Sequence, residues 1–169
     1  DYLFNLKVFK ELLKKQPNLR LKIIGHIYNR SPLELAKELG ISDRVDFVGE
    51  APHETVIEEL KKSAFHWMML SGEYVGLGTA TIEAMTLGIP CISNVPENLF
   101  GERLLKDMDN FIYASKDVNE VTEKITYVLS DKMQREKIGL AGKDFVNKHL
   151  NWDVVAHDMV ELFARHINN

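Results

Sequence analysis

The chain has 169 residues, of which 45% are hydrophobic, and a formal charge of -4 with a pI near 5.9. That length and apolar content suit one domain, 1–169, with a proper core, and they exclude a disordered or low-complexity chain. The acidic balance, with basic residues dispersed apart from pairs such as Lys14-Lys15 and Lys61-Lys62, argues against nucleic acid as a partner.

Tyr2, Leu3, Leu6, Val8, Phe9, Leu12 and Leu13 recur at three- and four-residue steps, which predicts an amphipathic helix over 1–16 that ends before Pro17-Asn18. The helical pattern is under way at the first residue and no Met starts it, so a fragment of something longer is expected. Leu19 to Gly25 follows as a strand stopping at a glycine. In the loop after it, His26 reads either as an ordinary loop histidine or as a ligand contact, and no partner for it is visible in the sequence. Pro32 suits the first turn of a helix over 33–39 closed by Gly40. Arg44 to Gly49 is a short strand whose alternation points Val45 and Phe47 inward. His53-Glu54 then opens a helix with Val56, Ile57 and Leu60 on its apolar side and Glu58, Glu59, Lys61 and Lys62 on a solvated face.

The apolar run Ala64 to Leu70 leads into a Gly-punctuated turn, a helix with one carboxylate, and a second apolar run ending at Ile92-Ser93. This describes strand, turn, helix and strand, and open α/β sheets bind ligands outside the carboxyl ends of such strands. Gly76 and Gly78 permit positive φ and a close backbone approach, and Thr79 is read as the cap of a helix whose free N–H groups attract phosphate. Glu83 falls about one turn into that helix, where a carboxylate accepts hydrogen bonds from paired sugar hydroxyls. Taken alone, the same residues also fit a tight strand-to-helix turn followed by a solvated glutamate, and the spacing leaves both readings open.

Beyond Ser93, a loop rich in Pro, Asn and Gly runs to a last short strand, Phe111 to Tyr113. Three helical patterns close the chain: Val118 to Leu129, 132–147, and a long amphipathic one from Trp152 to Ile167, in which Trp152 by itself reads as a core anchor. Cys91 is the single cysteine and sits in an apolar run, so it reads as an inert core thiol in a reducing compartment. His149, His157 and His166 do not fall at the four-residue step of a helical metal pair, and no metal site is expected. No apolar stretch is long enough to span a bilayer and no signal peptide is evident, so the expected location is cytoplasmic.

The string Gly76-Leu77-Gly78, Ile82-Glu83-Ala84-Met85 and Gly88-Ile89-Pro90-Cys91-Ile92 resembles the signature E-G-F-G-x-x-x-x-E-A-M-A-x-G-x-P-V-I of the retaining GT-B glycosyltransferases of family 4. The resemblance runs over nearly the whole chain and implies an α/β fold: a Rossmann-like parallel sheet with helices on both faces, forming the C-terminal half of a GT-B fold. By it, Glu83 holds the ribose of a nucleotide-diphospho-sugar donor, such as a UDP- or GDP-sugar, and the backbone around Val75, Gly76, Leu77, Gly78 and Thr79 lies near the sugar and diphosphate. Gly25, His26 and Gly49 become donor-cleft candidates by position, and Trp152 resembles the Trp that leads the family's terminal helix back toward the N-terminal domain. No cofactor or metal is implied.

Two departures stand out. The family carries an earlier Glu eight residues before the second, against the donor sugar, and Val75 stands there; Glu73 replaces it only if the turn is two residues longer. The loop after Ser93 lacks the family's diglycine, with Glu102 nearest to its Glu, and Asp107-Met108-Asp109-Asn110 replaces the usual Asp-Gly-x-Asn. The resemblance places the preceding strand, the cations that grip the diphosphate and an N-terminal acceptor domain upstream of Asp1. The implied reaction is retaining sugar transfer to a glycan or lipid-linked acceptor, with any peripheral membrane contact made through that missing domain. The alternative is a noncatalytic nucleotide- or partner-binding module.

Overall fold

Asp1 accepts a hydrogen bond from the Phe4 amide at 3.1 Å and so caps the first helix, whose Leu6, Val8, Phe9 and Leu12 are all buried. The computed structural model describes residues 1–71 and 76–167, with the backbone alone at 166 and 167. Along them follow α1 (Tyr2–Lys15), β1 (Leu21–Ile24), α2 (Ser31–Glu38), β2 (Val45–Gly49), α3 (His53–Lys62), β3 (His66–Met68), α4 (Thr79–Thr86), β4 (Cys91–Ser93), β5 (Ile112–Tyr113), α5 (Val118–Ser130), α6 (Lys132–His149) and α7 (Trp152–Ile167). A 3-10 turn at Ser42–Arg44 leads into β2.

Every strand pair is parallel, as the α/β reading requires. Side chains alternate across a strand, and here both faces are apolar. Ile92 and Ile112 point into a core shared with α1, α2 and α5, while their neighbours Cys91 and Phe111 point into a second core built on α3, α4 and α6. Helices therefore cover both faces. The parallel strands form two hydrogen-bonded ladders, β1-β2 and β3-β4-β5. Among the described residues no ladder bonds join them; a shared core, to which Ile23 of β1 contributes together with Met69 and Ile92, holds them together instead.

Helix α4 is the element that the site depends on, and three contacts seat it. His66 of β3 brings Nε2 to 3.2 Å from Oγ1 of the fully buried Thr81, and the Thr81 hydroxyl in turn donates to Sδ of Met68 at 3.7 Å. The Cys91 thiol points to the Thr81 carbonyl at 3.7 Å, and burial pushes its ionisation up, which makes it the inert core thiol expected. On the other side α6 lies against the chain leaving α4 at Gly139 and against the chain entering β5 at Gly142. A Cβ at Gly139 would overlap the Gly88 carbonyl, and one at Gly142 would lie 2.8 Å from the Asn110 carbonyl oxygen.

Two local features were not legible beforehand. Met108 is the one described non-glycine residue with positive φ, at 57°. It stands at the glycine position of the family's Asp-Gly turn, and its side chain packs on the first core while its carbonyl accepts from Gln134 at 3.2 Å. Trp152, which by itself reads as a core anchor, is 86% exposed at the start of α7, a helix tied to the domain where Arg103 pairs with Asp158 at 2.7 Å.

Gly139→Ala should destabilise the fold by about 1–3 kcal/mol, the scale of overpacking against backbone that cannot retreat, read as a lower denaturation midpoint with unchanged slope. A second expectation concerns pH. Burial pushes the His66 imidazole down to about 4 from an ordinary 6.5. Between those values the unfolded chain binds a proton that the folded chain refuses, so stability is complete above the upper value and falls as pH drops toward the lower one. The loss from this group reaches up to about 3 kcal/mol, and the difference in stability between wild type and His66→Gln across pH 4 to 7 isolates it from the carboxylates.

Candidate functional site

The predicted residues gather in two groups at the carboxyl ends of parallel strands. In the first, the Gly25 amide just beyond β1 donates to the Gly49 carbonyl at the end of β2 at 2.8 Å. Gly49 has φ 77°, a conformation that lets the chain leave the strand sharply toward α3. His26 places Nδ1 3.1 Å from Oε1 of Glu50, and its ring meets Tyr28 edge-on with centroids 4.6 Å apart. The histidine that had no visible partner in the sequence thus has one across the strand ends.

The second group is the N-terminus of α4. Gly78, with φ 75°, is the N-cap, and a Cβ there would come within 3.2 Å of Met68 Sδ at the end of β3. Thr79, expected to cap, is instead the first helical residue and is exposed, and no side chain caps the helix. The physical reason is the glycine itself: its left-handed φ makes the turn one residue earlier than a threonine could. Among the described residues the first-turn amides of α4 therefore have no side-chain acceptor, and the helix dipole adds to their attraction for an anion. Leu77 is buried in the second core, so it contributes to the cleft through its backbone and anchors the turn through its side chain. Gly76 precedes it in irregular structure. Glu73 and Val75 lie outside the described residues.

Glu83 sits about one turn inside α4 with its side chain 35% exposed, neither solvated freely nor engaged in a hydrogen bond among the described residues. Its one charged neighbour there is His53, the first residue of α3, with Nδ1 3.9 Å from Oε1. His53 follows Gly49 by four residues, so the contact links the chain after β2 to α4. Sequence reading took His53 only as a helix opener; its place directly after Pro52 at a strand-to-helix mouth was the available signal.

Asn94 was also missed. Its Oδ1 accepts from the Leu70 amide at 2.8 Å and its Nδ2 donates to the Leu70 carbonyl at 3.3 Å, which continues the β3-β4 ladder through a side chain and fixes where the chain enters the Gly-rich turn. Arg103, in the loop after β4, is committed to Asp158 and to the His149 carbonyl. Among the described residues no group of three or more His, Cys, Asp or Glu is placed to hold a metal, and no helix is long and apolar enough to cross a membrane.

An uncapped helix end beside a carboxylate, at the mouth of a parallel ladder, can hold a phosphorylated group and a sugar diol together. Comparisons with known proteins agree with that chemistry. The chain is 22% identical over 163 residues to a GDP-mannose-dependent monoacylated alpha-(1-6)-phosphatidylinositol monomannoside mannosyltransferase of Corynebacterium glutamicum, covering 93% of this chain and 42% of that protein. Among solved structures it resembles sucrose-phosphate synthase from Thermosynechococcus elongatus, with a TM-score of 0.76 and 22% identity over 99% of this chain and 43% of the other. It also resembles Anabaena HepE in complex with UDP and glucose, with a TM-score of 0.72 and 15% identity over 93% of this chain and 44% of that one. The chain thus spans less than half the length of these relatives. Residues 4–145 match the family described as Glycosyl transferases group 1, and the chain belongs to that family.

Proposed function

We propose that this chain is the donor-binding, C-terminal half of a retaining GT-B glycosyltransferase of family 4, taking a nucleotide-diphospho-sugar and passing the sugar to a glycan or lipid-linked acceptor. The observation that carries the reading is the geometry of α4, an uncapped amino end at Gly78 with the Glu83 carboxylate one turn behind it. In this reading the first-turn amides take the diphosphate and Glu83 accepts from the ribose hydroxyls. Gly25 and Gly49 leave the backbone clear for the base, and His26 flanks it. No metal is required, because helix amides and cations can offset the charge that develops on a departing nucleoside diphosphate.

The same reading calls for an N-terminal domain to supply the acceptor site and the cations. Its support here is α7, which exposes Trp152 at 86%, Val160 at 66% and Phe163 at 58%, together with Met159, along one stripe. An apolar stripe of that kind fits a second domain packed on it, as does the greater length of the relatives. A second reading, a module that binds nucleotide without turnover, is favoured by Val75, which stands where the family's first Glu contacts the donor sugar.

Calorimetry with UDP, GDP and ADP on the protein as encoded tests the site. One of these should bind, and Glu83→Ala should weaken it by about 1.5–3 kcal/mol, roughly 10- to 150-fold, the scale of lost hydrogen bonds to a charged group. Equal binding by the variant, or no binding of any nucleotide, would sink the donor-site assignment. Binding sensitive to Glu83 without release or transfer of sugar from any donor would select the noncatalytic reading.

A further inference from the structure

Glu83 faces the cleft with both carboxylate oxygens free of hydrogen bonds among the described residues, and an unpaired charge in that position has no fixed orientation. His53 is the one group placed to give it one. The imidazole stands on the opposite wall, at the start of α3, with Nδ1 3.9 Å from Oε1: an ion-pair distance when the ring is protonated, and too long for a hydrogen bond without a small rotation. The other charged groups around this wall are turned elsewhere. Glu50 at the end of β2 is engaged by His26, Glu59 further along α3 is tied to Lys22 and Lys62, and Glu54 shares the first turn of α3 with His53 itself. The amino end of α3 by itself disfavours a cation at His53, which makes the Glu83 carboxylate the compensating charge on the far side.

We propose that His53 is a positioning residue for the ribose-binding carboxylate. Its imidazolium holds one oxygen of Glu83 and leaves the other turned to the hydroxyls of a nucleoside diphosphate's ribose. Two effects act in the same direction. The pair fixes the carboxylate in its accepting orientation, and the added positive charge offsets repulsion between Glu83 and the diphosphate bound at the head of α4. A carboxylate has about four lone-pair sites, so the imidazolium and a ribose hydroxyl do not compete for the same one. The inference rests on Glu83 being the ribose contact and adds a residue to it.

The test is the ratio of affinities for a ribonucleotide and its 2′-deoxy counterpart, measured with UDP, GDP and their 2′-deoxy forms on the protein as encoded. The preference for ribose should be about two- to fivefold greater in the wild type than in His53→Gln, the scale of a partly exposed ion pair, and His53→Arg should restore it. A histidine that only supports the fold would lower both affinities together in His53→Gln and leave the ratio unmoved, which overturns the proposal, as does a ratio that His53→Arg fails to restore. If Glu83→Ala leaves the ratio unchanged, or no nucleotide binds, the ribose reading itself fails and this inference with it. If Glu83→Ala abolishes the preference while His53→Gln does not, only the role of His53 is overturned.

Discussion

The close approach of α6 to α4 is the constraint on which the rest of this domain depends. Backbone touches backbone where Gly139 meets Gly88 and where Gly142 meets Asn110, and there is no room for a single methyl group at either crossing. This contact presses α4 onto β3 and β4, where His66 and the Cys91 thiol meet Thr81 and fix the helix against rotation. Because α4 is held along its length, its amino end can remain without a side-chain cap. A helix secured only by its caps could not leave those amides open for a ligand.

The cleft that results is electrostatically divided. The domain is acidic overall, and the arginine nearest in sequence to the mouth loop is spent on holding α7. Attraction for an anion therefore comes from backbone amides, while the side chain closest to them, Glu83, carries the opposite sign. In the proposed reading the carboxylate takes a sugar diol and the helix end a phosphate, and a positive counterweight lets the first tolerate the second. His53 is where the fold places one.

Much of the architecture could be read from residue pattern. The helix over 1–16, the strand stopping at Gly25, the strand stopping at Gly49 and the helix from His53 all lie within a residue or two of the observed elements, because apolar periodicity and glycine breaks are local signals. The turn chemistry was less legible. Thr79 carries the residue type of a cap, yet Gly78 caps α4 because it alone accepts the left-handed turn. Met108 takes a positive φ that its residue type disfavours, and packing on the first core together with Gln134 holds it there. Trp152 carries the pattern of a core residue, but whether an amphipathic stripe is covered depends on what faces it, and α7 leaves it exposed.

By itself the sequence determined the order of elements and the glycine and glutamate pattern from 76 to 92, since each of these is set by residue type at fixed spacing. Only the tertiary structure decided which distant residues meet. The pairing of His26 with Glu50, the clamp of Asn94 on Leu70, the seat of His66 on Thr81 and the contact of His53 with Glu83 join residues 15 to 30 positions apart. No periodicity encodes such contacts, because they arise where parallel strands end side by side and each sends its chain into a different helix.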